Sequence, residues 1–147
     1  IFNHAFAKSL FFLIAGALSY SCGTRMLPRL KGVLKKMPLL GIGFCVAALA
    51  ITGVPPFNGF FSKFPIFAAG FALSHEFWVM TPLMVLVLIE SVASFAWFIY
   101  WFGRVIPGTP SEEVAQAAPV PLAMRIVLVV LIAMSVFSSF IAVAWLG

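Results

Sequence analysis

The chain has 147 residues, 63% of them hydrophobic and only 9% charged, with a formal net charge of +5. Its mean hydropathy is +1.15. A soluble domain is usually about a quarter charged, so this composition excludes a water-facing globular domain and implies an integral membrane protein. The only carboxylates are Glu76, Glu90, Glu112 and Glu113. The positive charge does not point to nucleic acid. Five of the nine cations (Arg25, Arg29, Lys31, Lys35 and Lys36) share one short loop with no interleaved aromatics, which is the pattern of a cytoplasmic membrane loop.

In chain order, the first apolar region runs from Ile1 to about Tyr20, interrupted by Asn3, His4, Lys8 and two serines. It opens as the inside of a hydrophobic helix and carries neither the basic segment nor the cleavage site of a signal peptide. The expectation is therefore a piece of a longer polytopic subunit, a single transmembrane domain over residues 1–147. The loop Cys22–Met37 holds the basic cluster, and the second apolar region runs from Pro38 to about Leu73. As one straight helix that region would reach roughly 54 Å, against a hydrocarbon core of about 30 Å.

The string ITGVPPFNGFFSKFP, residues 51–65, resolves the excess length. Pro55 and Pro56 lack N–H groups, so the carbonyls of Ile51 and Thr52 lose helical partners, and Pro65 does the same to Phe61. Gly53 and Gly59 permit unusual backbone angles, and Asn58-Gly59 is a turn signal. The region is either a hairpin of two short helices or one span broken near its middle. The cation bias favours the broken span, because the loops 23–37 and 104–118 then lie together on the cytoplasmic side. The third span covers about Val79 to Trp101 and ends in an aromatic belt. The fourth covers about Val120 to Trp145. The expected fold is all-α: a polytopic transmembrane helix bundle of about four spans, one of them (Pro38–Leu73) discontinuous near Pro55–Lys63.

Charged groups at the bilayer centre cost ~2.5–3.5 kcal/mol on insertion scales, so each one is a functional candidate. Four stand out: His4, Lys8, Lys63 and Glu90. His4 and Lys8 are four residues apart and share a helix face. Low dielectric disfavours a charged lysine, which brings a Lys–His pair within reach of proton exchange; the competing reading is a lysine snorkelling from a helix end. Lys63 is placed by the sequence in the break, where unpaired carbonyls attract water or cations. Glu90 lies mid-span and reads equally as a functional carboxyl or as a structural one bonded within its own helix. His75 and Glu76 read as a solvated turn. Cys22 and Cys45 have no metal-ligand spacing, and no phosphate loop or nucleophile–base pair occurs.

The strings NHAFAKSLFFLIAG, KKMPL and GVPPFNGFFSKF resemble the antiporter-like membrane subunits of respiratory complex I, membrane-bound [NiFe] hydrogenases and cation/proton antiporter complexes. With SFAWFIYWFGR, the wording looks most like hydrogenase-4 or formate-hydrogenlyase membrane subunits of the component D type. The resemblance covers nearly the whole chain. It implies the last third of a fourteen-helix subunit in a bacterial cytoplasmic (inner) membrane. It also implies that Lys63 is a central proton site and that His4 and Lys8 belong to the hydrophilic axis. It assigns no position to Glu90. The chain itself is expected to hold no cofactor. The implied partners are the lipid bilayer and other membrane and redox subunits, which carry iron–sulfur clusters and a NiFe centre. The expected function is proton or Na⁺/proton translocation within a redox complex. The alternatives are a purely structural membrane module and a stand-alone solute transporter.

Overall fold

The computed structural model describes the backbone of residues 2–146 and the side chains of residues 2–141. All of the regular structure there is helical. The helices are α1 (Phe2–Cys22), α2 (Val33–Lys36), α3 (Pro38–Thr52), α4 (Asn58–Ala72), α5 (Met80–Val105), α6 (Glu112–Ala115) and α7 (Leu122–Leu146). Three segments are long and apolar enough to cross a membrane: Phe2–Cys22, Met80–Val105 and Leu122–Ile141.

The core forms where α1, α3 and α7 meet. Helix α1 contributes Ala7, Leu10, Ile14, Ala17, Leu18 and Ser21, a stripe at steps of three and four that a 3.6-residue period lines up on one side. Helix α3 is buried on most sides, and much of its buried surface is Gly41, Gly43, Ala47, Ala48 and Ala50. Small residues let helix backbones approach closely where apolar burial alone cannot drive packing in lipid. Helix α5 buries only Met84 and Val105 and exposes Leu86, Ile89 and Val92, an apolar exterior suited to a bilayer or to neighbouring subunits.

The two polar loops meet at one end of the bundle. The Leu34 N–H donates to the Ile106 carbonyl at 3.0 Å, Ser111 N–H to Lys31 at 3.0 Å, and Ala118 N–H to Ser21 at 2.8 Å. The Ser111 hydroxyl donates to the Arg29 carbonyl, and Arg29 lies 3.9 Å from Glu113. Gly32 is required here twice over: its φ is +73° and an added Cβ would strike the Pro110 backbone.

From that end α3 leads into α4. Each has 15 residues, about 22 Å at 1.5 Å per residue, too short alone for a core of about 30 Å. Helix α4 runs antiparallel to α5, with Lys63 beside Ser91 and Gly70 against Met84. The two half-helices thus both proceed from the loop end toward the opposite end.

The position of the break differs from the sequence expectation. It occupies Gly53 to Phe57, and its Pro55–Pro56 peptide is cis. Gly53 ends α3 in the left-handed region (φ 84°), with its N–H and that of Val54 both donating to the Leu49 carbonyl; this double closure is a common helix terminus. Asn58 and Gly59 are already the first residues of α4, and Lys63 and Pro65 lie inside it. Pro65 costs one backbone hydrogen bond, but the surrounding turns carry the helix on to Ala72. Gly59 has no positive φ. It is small because a Cβ there would overlap the Ala50 carbonyl oxygen, so close backbone approach explains it, not backbone freedom.

Candidate functional site

The start of α4 presents two polar faces. One turns toward α5. The Lys63 ammonium donates to the Ser91 hydroxyl at 3.0 Å, and Ser91 lies near the middle of the 26-residue α5. The lysine stem runs back over the break, since a Cβ on Gly53 would come within 2.9 Å of Lys63 Cδ. The amine is set in a groove of about 260 Å³ that includes Thr52, Phe60, Phe64 and Phe95. The half-buried amine thus sits between aromatic side chains with one hydroxyl acceptor.

The other face turns toward α1 and α7. The Asn58 side-chain amide donates to the Asn3 carbonyl at 3.0 Å and to the Ser138 hydroxyl at 3.1 Å. Ser138 donates in turn to Asn3 Oδ1 at 3.1 Å, and Asn3 Nδ2 donates to Ser62 at 3.0 Å. Ser139 donates to the Asn58 carbonyl at 3.4 Å. These contacts tie the first turns of α4 to both neighbouring spans.

The other three candidates stand apart from Lys63. His4 and Lys8 lie on the exposed side of α1, one turn apart as the spacing predicts, and form no hydrogen bond or ion pair among the described residues. Glu90 is exposed, and its carboxylate accepts from Ser94 one turn on at 2.7 Å. It does not pair with Lys63, whose partner is the adjacent Ser91. Of the six residues expected to form the break, Gly53, Pro55 and Pro56 do so, while Asn58, Gly59 and Pro65 belong to α4. Sequence reasoning missed Ser91, Ser62, Ser135, Ser138 and Ser139. Serines are common in membrane helices, and the one available signal was their recurrence at three- and four-residue steps late in α7.

Comparison with known proteins adds the following. Residues 1–90 match the family described as NADH:quinone oxidoreductase/Mrp antiporter, TM. The chain is 33% identical over 140 residues to the Na(+)/H(+) antiporter subunit A1 of Staphylococcus haemolyticus, covering 88% of this chain and 17% of the relative. It is 35% identical over 130 residues to NADH-quinone oxidoreductase subunit N of Desulforudis audaxviator, covering 85% and 24%. It is 34% identical over 102 residues to a Na(+)/H(+) antiporter subunit of Alkalihalophilus pseudofirmus, covering 69% and 20%. The chain thus spans between 17% and 24% of the length of these three relatives.

Proposed function

The chain belongs to the NADH:quinone oxidoreductase/Mrp antiporter transmembrane family, and from that premise we propose that it is a cation/proton-translocating membrane subunit of a multi-subunit complex in which Lys63 is the group that cycles its proton. The observation that carries this reading is the Lys63 ammonium, held beside the helix break with Ser91, near the middle of α5, as its hydroxyl partner. Relatives named as Na(+)/H(+) antiporter subunits and as a quinone oxidoreductase subunit support the coupling of cation or proton movement to a larger assembly.

In this reading α3 and α4 make one broken crossing, giving four spans, with the loops 23–37 and 104–118 on the cytoplasmic side of a bacterial inner membrane. His4 and Lys8, on the open face of α1, are the next groups along the polar axis, and Glu90 stands on the open face of α5, bonded to Ser94. Redox centres, where the assembly has them, sit on partner subunits. A hydrogenase-type assembly is the finer proposal and rests on the SFAWFIYWFGR wording alone. Moving one charge fully across the membrane involves ~2.3 kcal/mol per 100 mV, so the driving reaction lies elsewhere in the complex.

The test is proton uptake by the full-length subunit in its native complex, reconstituted in vesicles. Lys63→Ala is expected to reduce uptake at least about tenfold with assembly intact. Lys63→Arg keeps the charge but cannot release a proton at accessible pH, so it should fail in the same way. Wild-type uptake by Lys63→Arg would exclude a deprotonating lysine and leave the structural-module reading.

A further inference from the structure

The polar face of α4 that meets α1 and α7 is not closed by the side chains that form it. Asn58 and Ser135 are both 0% exposed, yet Asn58 Oδ1 and Ser135 Oγ have no hydrogen-bond partner. The orientation of the Asn58 amide is not interchangeable, because its nitrogen donates to the Asn3 carbonyl, which can only accept. The orphaned atom is therefore the oxygen. Ser135 lies three and four residues before Ser138 and Ser139, which both bond to Asn58, so its hydroxyl is on the same side of α7, about one turn away. Any further chain packed on this unit can only bury these atoms deeper. Two unsatisfied polar atoms in the middle of a bilayer-sized bundle each carry the full desolvation penalty.

We propose that the α1–α4–α7 junction is a binding site for a single internal water, held by Asn58 Oδ1 and Ser135 Oγ. The chemistry of the orphans selects the ligand. Asn58 Oδ1 only accepts, so its partner must bring a donor, which excludes an anion. A cation is opposed by the positive end of α4, by the Asn58 amide hydrogens, and by Lys63 a little over one turn further on; the residues of the cluster supply no carboxylate. Water donates to Asn58 and either donates to or accepts from Ser135, and buried waters characteristically serve such groups. With it the cluster in which Asn3 joins Ser62 on one side and Ser138 and Asn58 on the other gains a partner for its orphaned oxygen. The water then lies between α4 and α7, on a different face of α4 from the one that bonds Lys63 to Ser91. Its role in translocation rests on the proposed function, whereas its binding does not.

The experiment uses the full-length subunit in its complex, as wild type, Ser135→Ala and Ser135→Thr. A structure at a resolution that shows waters is expected to place one within hydrogen-bond distance of both atoms in the wild type. Ser135→Ala should lose it, lower the melting midpoint by several degrees and reduce proton uptake several-fold; Ser135→Thr, which keeps a hydroxyl, should retain all three. A dry junction, with the Ser135 hydroxyl turned onto its own helix, overturns the site. So does a midpoint that is unchanged or raised in Ser135→Ala, since deleting a truly unsatisfied hydroxyl costs nothing. Density coordinated by five or more oxygens, with a midpoint raised by sodium chloride but not by choline chloride, overturns water in favour of a cation. If the water and the midpoint behave as expected while uptake stays at the wild-type level, the coupling to translocation is overturned and the site stands. Unimpaired uptake in Lys63→Ala would instead sink the proposed function.

Discussion

At the scale of single residues, Lys63 and Ser91 form a unit. A hydrogen bond to a charged group contributes about 1.5–3 kcal/mol, and here it fixes the position of the amine. Ser91→Ala should therefore lower proton uptake several-fold, while Ser91→Thr leaves it in place; uptake unchanged in Ser91→Ala would separate the serine from the lysine's function. Gly59 makes a different kind of point. Its Cβ would lie on the Ala50 carbonyl, and backbone cannot step aside as a flexible side chain can. Gly59→Ala is expected to destabilise the protein by at least about 2 kcal/mol through overpacking, measured as a lowered unfolding midpoint in detergent. The lysine is legible in the sequence because a charge in an apolar run is conspicuous. Ser91 is not, because its importance exists only once α4 and α5 are folded against one another, 28 residues apart.

At the scale of elements, the break is where sequence and structure agree in kind and differ in position. Two adjacent prolines and a glycine guarantee an interruption, and Gly53, Pro55 and Pro56 supply it. The sequence has no means to show where the second half-helix begins. Asn58 and Gly59 read as a turn by local preference, but their tertiary contacts with Asn3, Ser138 and Ala50 override it. Pro65, in the middle of α4, is absorbed at the loss of one bond. Gly53 ends α3 in a conformation that costs other L-residues about 1–2 kcal/mol, and its missing side chain makes room for the lysine stem. Gly53→Ala is expected to lower both the unfolding midpoint and proton uptake, whereas Gly16→Ala, where an added Cβ meets nothing within 4 Å, should lower neither.

At the scale of the whole molecule, the two polar loops dock on each other and close one end of the bundle. The proposed cytoplasmic placement of that end rests on its cations, and thiol labelling tests it. With cysteines introduced singly at positions 29 and 109 in intact cells, an impermeant reagent added outside is expected to label neither. Labelling of both would invert the topology, and labelling of one alone would contradict their proximity. Span positions and the shared loop end are legible from hydropathy and charge. The exposed faces of α1 and α5 carry His4, Lys8 and Glu90, and the chain spans a minor share of its relatives' length, which fits the proposed larger assembly.

The contact of Gly59 with Ala50 has a mechanical consequence. Two backbones touching with no side chain between them make a fulcrum, and α4 is an unequal lever upon it. Ala72 lies about thirteen residues beyond the pivot, ~20 Å, and Lys63 only about four, ~6 Å. A tilt of about 10° would carry the far end through ~3.5 Å but the lysine through only ~1 Å, which is still enough to take a 3.0 Å hydrogen bond beyond its useful range. A push at the end of α4 far from the docked loops would thereby be geared down to a displacement on the scale of the Lys63–Ser91 hydrogen bond.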